Sequence, residues 1–163
     1  MMETVLSQVE AGRDLSMDQM SEAIGQVMAG ACSEEEIARL LVGLHKKGET
    51  VAEVAGAAAA MRKEMTPIRT RHGEVVDVVG TGGDRSGTFN ISTAAALVTA
   101  AAGVPVAKHG NRRVTSPSGA ADVLARLGVN IEADVPTVEA CLDELGICFC
   151  FAPLLHTAMR HVA

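Results

Sequence analysis

Three times in its N-terminal part the chain sets a serine or threonine three positions ahead of a glutamine or glutamate, at Ser16–Gln19, Ser33–Glu36 and Thr50–Glu53. Each pair matches the capping box. The hydroxyl side chain accepts from the backbone N–H three residues on, and the longer side chain reaches back to the N–H of the hydroxyl residue. Such a box satisfies donors that a helix start leaves unpaired, so three boxes predict three helix openings. Apolar residues then recur at helical spacing, as at Ile37, Leu40, Leu41 and Leu44, and Gly48 marks a stop. Residues 1–65 read as a small helical bundle, with Met17, Met20 and Met28 as packing residues rather than a ligand patch.

The available side chains narrow the choice of core. Of 163 residues 48% are hydrophobic, 16 are glycine, three are Phe, and Trp and Tyr are absent. This is too apolar for disorder, and it demands a core of small side chains with close backbone approach. The formal net charge of −6, with scattered Lys and Arg, argues against a nucleic-acid partner, which requires a dense cationic face. The most apolar run, Ala94 to Ala107, is interrupted by Thr99 and Pro105 and is shorter than the ~18 residues of a membrane span. Met1-Met2-Glu3-Thr4 lacks the basic and apolar start of a signal peptide. A soluble, cytoplasmic protein without nucleic-acid or membrane partners is the expectation. The four cysteines, Cys32, Cys141, Cys148 and Cys150, read as buried thiols rather than disulfides, because Cys148 and Cys150 flank Phe149 inside the apolar run Ile147 to Phe151, and the absence of a Cys-x-x-Cys pair argues against zinc ligands.

Residues 66–73 carry Pro67 and Gly73 without an apolar period and read as a linker. Beyond them the pattern alternates. Strands are expected at Glu74–Val79, Val104–Ala107 and Ile147–Phe151, with a short one at Val129–Ile131. Helices are expected at Asn90–Ala102, Ser118–Leu127, Pro136–Leu145 and from Pro153 onward. That alternation predicts a parallel sheet covered on both faces, so 74–163 reads as an α/β domain. The apolar helical pattern still running at Ala163 and the small number of strands make this region read as the front part of a larger domain.

The densest chemical signal is the stretch from Gly80 through Thr93, Gly-Thr-Gly-Gly-Asp-Arg-Ser-Gly-Thr-Phe-Asn-Ile-Ser-Thr. It lies where a strand gives way to a helix, at the carboxyl edge of a parallel sheet, where open α/β folds bind ligands. Its glycines let backbone N–H groups turn toward an anion, and the helix start adds partial positive charge. The spacing matches neither Gly-x-Gly-x-x-Gly nor a Gly-Lys-Ser/Thr phosphate loop. Asp84 beside a phosphate needs a hydroxyl donor or a shared cation, conditions that a sugar phosphate with Mg²⁺ meets. The alternative is a strand–helix turn in which Asn90 or Ser92 serves only as helix cap. A second polar loop, Lys108-His109-Gly110-Asn111-Arg112 through Thr115-Ser116, leaves the same edge. Lys108 and Arg112 supply positive charge and Asn111 both a donor and an acceptor. Its alternative is a solvated loop in which Ser116 or Ser118 caps the next helix, the reading preferred for Ser118.

Together with Ser118-Gly119-Ala120-Ala121-Asp122-Val123-Leu124, Phe151-Ala152-Pro153, His156, Ala158, Met159, His161 and Val162, these two loops resemble the anthranilate phosphoribosyltransferase family of tryptophan biosynthesis. The resemblance runs along the whole chain and about the first half of the family's usual length. It implies a helical bundle followed by a partial parallel α/β domain of the nucleoside phosphorylase/phosphoribosyltransferase type. It implies Mg²⁺-dependent transfer of 5-phosphoribosyl from phosphoribosyl pyrophosphate (PRPP) to the amine of anthranilate, and a homodimer through the N-terminal helices. By the same resemblance Gly80, Gly82, Gly83, Asp84, Thr88, Asn90, Ile91, Ser92, Thr93, Lys108, His109, Gly110, Asn111, Arg112, Thr115 and Ser116 hold PRPP. Gly80 and Asn111 touch anthranilate, Ser92 binds magnesium, and no covalent nucleophile is required.

Two departures stand out. Thr115-Ser116 replaces the family's Ser-Ser, and Ala120 stands where the family has Ser, removing one hydroxyl contact to PRPP. The family's acidic magnesium pair lies far downstream and an anthranilate-facing arginine just past Ala163, so these 163 residues alone are expected to be poorly active. The competing readings are a pyrimidine-nucleoside phosphorylase relative, whose loop differs at Val79-Gly80 and Asp84, and a non-catalytic dimerisation or binding module.

Overall fold

A computed structural model describes residues 1–80, 88–113 and 118–156. The chain divides into two compact units, 1–65 and 66–155, with His156 grouped with the first.

The first unit holds α1 (Met2–Glu10), α2 (Met17–Met28), α3 (Glu34–Lys47) and α4 (Val51–Glu64). All three expected capping boxes form. Ser16 Oγ accepts from Gln19 N at 3.1 Å while Gln19 Oε1 accepts from Ser16 N at 2.9 Å. Ser33 with Glu36, and Thr50 with Glu53, repeat the arrangement. Leu6, Val9, Met20, Ala23, Val27, Leu40 and Leu44 form one core, which buries the apolar face of each amphipathic helix. Met20 and Met28 are buried as expected, whereas Met17 is exposed. The alanine-rich α4 lies close to α2 at Gly56, where a Cβ would collide with the Met17 carbonyl oxygen and come within 3.0 Å of Met20 Cβ. Small residues permit that approach.

The second unit holds α5 (Ile91–Ala101), β1 (Val106–Gly110), α6 (Ala120–Arg126), α7 (Val135–Leu145), β2 (Ile147–Phe151) and α8 (Ala152–Leu155). β1 and β2 pair in parallel, from Val106 opposite Ile147 to Gly110 opposite Phe151. The two faces of β2 are covered differently. Phe149 and Phe151 pack with Ala121, Leu124 and Ile131 on the α6 side, and Cys148 and Cys150 pack with Val138 and Leu142 of α7. All four cysteines are free thiols. Cys148 and Cys150 Sγ lie 3.8 Å apart, and that contact together with burial pushes the Cys148 thiol pKa up.

Several expected boundaries change. The strand expected at Glu74–Val79 is reduced to a single parallel bridge, Val76 to Val106, on the side of β1 away from β2. Val76 N donates to Pro105 O at 2.9 Å and Ala107 N to Val76 O at 3.0 Å. Continuing the ladder would require His109 N to donate to Val78 O. Instead His109 N donates to Asp77 Oδ1 at 3.2 Å, and Val78 O accepts from Lys108 Nζ at 2.7 Å. Two side chains thus replace the next ladder bond. The strand expected at Val104–Ala107 begins two residues later, because Pro105 has no N–H and Val104 N donates back to Thr99 O. No strand forms at 129–131. Asn130 Oδ1 accepts from Glu132 N at 3.1 Å, a local turn that competes with strand pairing.

Helix α6 starts at Ala120, with Gly119 rather than Ser118 at the cap position. Asp134 caps α7 by accepting from Thr137 N at 3.1 Å. Helix α8 covers Ala152–Leu155, and the expected continuation beyond His156 lies outside the described residues. Segment 66–73 is hydrogen-bonded to α7: Arg69 N donates to Glu139 Oε1 at 2.6 Å, Thr70 Oγ1 to Asp143 Oδ1 at 2.6 Å, and His72 Nε2 meets Leu142 O at 3.1 Å. Among the described residues no helix is long and apolar enough to cross a membrane.

Candidate functional site

The parallel bridge at Val76 fixes the direction of the segment that leads to Gly80. Gly80 and Gly110 each lie four residues beyond a partner of that bridge, so both leave the same edge of the sheet. Helix α5 returns to the start of β1 through residues 102–105, which puts its first turn at that carboxyl edge as well. Its 11 residues and the five of β1 each span about 16 Å, so the helix start is level with the strand end. Gly80, Thr88, Asn90, Ile91, Ser92, Thr93, Lys108, His109, Gly110, Asn111 and Arg112 are thereby gathered at one edge. Gly82, Gly83, Asp84, Thr115 and Ser116 lie outside the described residues.

At the helix start Asn90 Oδ1 accepts from Thr93 N at 3.2 Å and from Thr93 Oγ1 at 2.8 Å, which makes Asn90 the N-cap. Thr93 is buried and Ser92 half-buried beside it. The capping alternative therefore applies to Asn90 and not to Ser92. Capping uses the Asn90 carbonyl oxygen and leaves the amide NH₂ of its side chain, two further donors, for other partners.

Lys108 is only 3% exposed, although it is a charged residue at a sheet edge. Its ammonium donates to Val78 O at 2.7 Å and lies 3.5 Å from His109 O. Burial pushes its pKa down, and the nearby Asp77 carboxylate partly opposes that shift. The lysine thus ties the two glycine-bearing segments together while keeping a cation at their junction. Asp77 also pairs with the His109 ring through Nδ1.

The second loop is braced from α6. Asp122 Oδ2 accepts from Gly119 N and Arg113 N, each at 2.9 Å, and these bonds hold its carboxyl pKa down. Asn111 O accepts from Ala121 N at 3.2 Å. A Cβ on Gly119 would come within 2.5 Å of both Arg112 C and Arg113 N, so a side chain there would push the loop off the helix. Arg112 Nη2 meets Glu132 Oε1 at 3.2 Å, Nη1 lies 3.9 Å from Asp122 Oδ1, and the guanidinium sits 5.7 Å from the centre of the Phe151 ring. Two carboxylates thus flank this exposed arginine, whereas Lys108 is the buried charge at the edge.

Asp77, Asp122, Glu132 and Phe151 position these groups; Asp122 and Phe151 lie in motifs that carry the family resemblance, whereas Asp77 and Glu132 lie in none. Asp77 carries one signal, an acid in the otherwise β-branched run Val75–Val79. Among the described residues no group of three or more His, Cys, Asp or Glu is arranged to hold a metal. The Ser92 hydroxyl is nonetheless the hard oxygen donor that Mg²⁺ takes, an ion that usually completes its shell with water and phosphate oxygens.

A protein-family model described as the helical bundle domain of a glycosyl transferase family matches residues 3–65, and the a/b domain of a glycosyl transferase family matches residues 72–163. The anthranilate phosphoribosyltransferase of Rhodopirellula baltica is 54% identical over 157 residues, which is 96% of this chain and 46% of the relative. That of Pelotomaculum thermopropionicum is 50% identical over 163 residues, all of this chain and 47% of the relative. The chain thus spans just under half the length of these relatives. The crystal structure of the Thermus thermophilus anthranilate phosphoribosyltransferase superposes with a TM-score of 0.89 at 45% identity, covering 98% of this chain and 48% of that one. The Saccharomyces cerevisiae enzyme in complex with PRPP and Mg gives 0.85 at 27% identity, covering 98% and 49%.

Proposed function

This chain belongs to the glycosyl transferase family, and on that premise we propose that it forms the PRPP-binding half of an anthranilate phosphoribosyltransferase, an enzyme of tryptophan biosynthesis. One observation carries the reading. The Gly80 segment, the start of α5 and the Lys108–Arg112 loop open on one edge of a parallel sheet, and the Lys108 ammonium joins the first of these to the last. Relatives of that name and the yeast enzyme's complex with PRPP and Mg support it.

The reaction joins the anthranilate nitrogen to C1 of the ribose and releases pyrophosphate, so positive charge develops on the ring and negative charge on the leaving group. Gly80, Gly82 and Gly83 are the proposed cradle of backbone donors, with Thr88, Asn90, Ile91, Thr93, His109, Gly110, Thr115 and Ser116 completing the contacts to PRPP. Lys108 sets a cation beside the leaving group, Asp84 takes a ribose hydroxyl or shares the metal, and Arg112 holds its loop in shape. Gly80 and Asn111 orient anthranilate, and fixing the amine against C1 removes much of the entropic barrier. Mg²⁺, the proposed cofactor, neutralises developing phosphate charge when bound, and Ser92 is the residue that would hold it. We place the boundary between the helical and α/β domains at the segment 66–73. The further proposals are a cytoplasmic location and a homodimer through the N-terminal helices, the latter supported by exposed Leu41 and Val42 on α3 and Val51 and Val54 on α4.

Calorimetric titration with PRPP and Mg²⁺ tests the reading. Saturable heat is expected, and its absence would favour the non-catalytic module. Turnover of PRPP and anthranilate by the 163 residues alone is expected to stay near background, because they span less than half the length of the relatives that carry this name. Rapid turnover would overturn the assignment of a half-site.

A further inference from the structure

His109 is among the residues expected to hold PRPP, and its pairing with Asp77 points to a further role for its ring. One carboxylate grips both ends of a single residue: Oδ1 accepts from the His109 backbone N–H at 3.2 Å, and Oδ2 meets ring Nδ1. Bound in this way, the carboxylate has little freedom to turn away. A carboxylate oxygen only accepts, so Nδ1 carries the proton. A neutral imidazole donates from one nitrogen and accepts at the other, which makes Nε2, on the far side of the ring, the acceptor. The His109 side chain is half exposed at the sheet edge, next to Gly110 and Asn111, and Nε2 has no partner among the described residues. The unit contains its own contrast. His72 sets Nε2 against the Leu142 carbonyl, which also only accepts, so His72 carries its proton on Nε2.

We infer that Asp77 is a positioning residue that locks His109 in the Nδ1–H tautomer and so presents Nε2 as a hydrogen-bond acceptor to the amino group of the aromatic substrate. The inference rests on the proposed transfer reaction. As the nitrogen bonds to C1 and the C1–O bond to pyrophosphate breaks, the amine must shed one proton. In this inference the proton passes to Nε2 of His109, and the imidazolium so formed remains paired with the Asp77 carboxylate. No additional reactant is needed. Lys108 is the other charged group at this junction, and its ammonium is held by Val78 O, so it does not compete for the Asp77 oxygens that bind His109.

Long-range ¹H–¹⁵N correlation of the histidine rings reads the tautomer directly. The measurement uses the 163-residue chain at about pH 8.5, above the ~6.5 of a free imidazole, with His109→Gln assigning the signal. The expected result is Nδ1–H at His109 and Nε2–H at His72, with Asp77→Ala shifting His109 toward Nε2–H. Nε2–H at His109 in the wild type, or a pattern that Asp77→Ala leaves unchanged, would overturn the inference. If Asp77→Ala fails to fold, the wild-type tautomer decides alone.

Adding anthranilate to the chain with PRPP and Mg²⁺ is then expected to move the His109 Nε2 resonance. PRPP heat without that movement overturns the substrate-facing role and leaves the donor site standing. Absence of PRPP heat counts against the proposed function, and the tautomer then decides the positioning role of Asp77 by itself.

Discussion

Glu53 is fully buried and is held by four groups. Oε1 accepts from Leu15 N at 2.8 Å, and Oε2 accepts from Thr50 N at 2.7 Å, Thr50 Oγ1 at 3.0 Å and Lys47 Nζ at 2.8 Å. Burial alone would raise its pKa, but the hydrogen bonds from Leu15, Lys47 and Thr50 prevail and hold it at about 2, against an ordinary 4.5. A depressed carboxylate pKa stabilises the fold in full above the unfolded value, and that stability is lost as pH falls from about 4.5 through about 2. The difference is about 3 kcal/mol. Denaturation followed across that range should show the loss in the wild type, and Glu53→Gln should be less stable at neutral pH with a flatter acid profile. An unchanged slope in the variant would assign the acid sensitivity to other carboxylates. Ala120 supports a second prediction. Its Cβ is 3.0 Å from where a side chain on Gly110 would begin, so position 120 faces the second loop. Ala120→Ser should tighten PRPP binding by ~0.5–1.5 kcal/mol, read by calorimetry, if it restores a hydroxyl contact.

Among the elements, those readable in the sequence depend on residues three or four positions apart. The boxes at Ser16, Ser33 and Thr50 and the cap at Asn90 are of this kind, because donor and acceptor share one turn. Of the two expected strands that did not form as such, the first was decided at long range. Val75–Val79 has strand composition, yet its ladder stops at Val76 because Asp77 and Lys108 satisfy the next backbone groups from positions about 30 residues apart in sequence. At 129–131 the short range of Asn130 prevailed over β-branched neighbours. The edge of the candidate site was legible through Gly80 and the Lys108–Arg112 motif. Its scaffolding by Asp77 and Glu132 was not, because those residue types are common on any surface and acquire meaning only through their partners; Asp122 stood in a motif, but its bonds to Gly119 and Arg113 did not follow from it. The contact of α2 with α4 is testable in the same terms. Gly56→Ala should destabilise the helical unit by ~1–3 kcal/mol through overpacking against Met17 and Met20, seen as a lower midpoint in thermal denaturation.

At the scale of the whole molecule the helical unit is built around one apolar core, while the α/β unit leaves a good deal of apolar surface uncovered. Val75, Val76, Val79, Ile91, Leu97 and Val98 are all exposed there, beside a bridge and two strands. The relatives that this chain matches are about twice its length. The sheet contains the edge on which the proposed site depends. The most direct test of that single cleft is to map backbone amide shifts of the isotope-labelled chain as PRPP and Mg²⁺ are added. The account predicts saturable changes in both the Gly80 segment and the His109–Arg112 loop, with one shared affinity. Changes confined to one of them, or arising in the two at different concentrations, would contradict it.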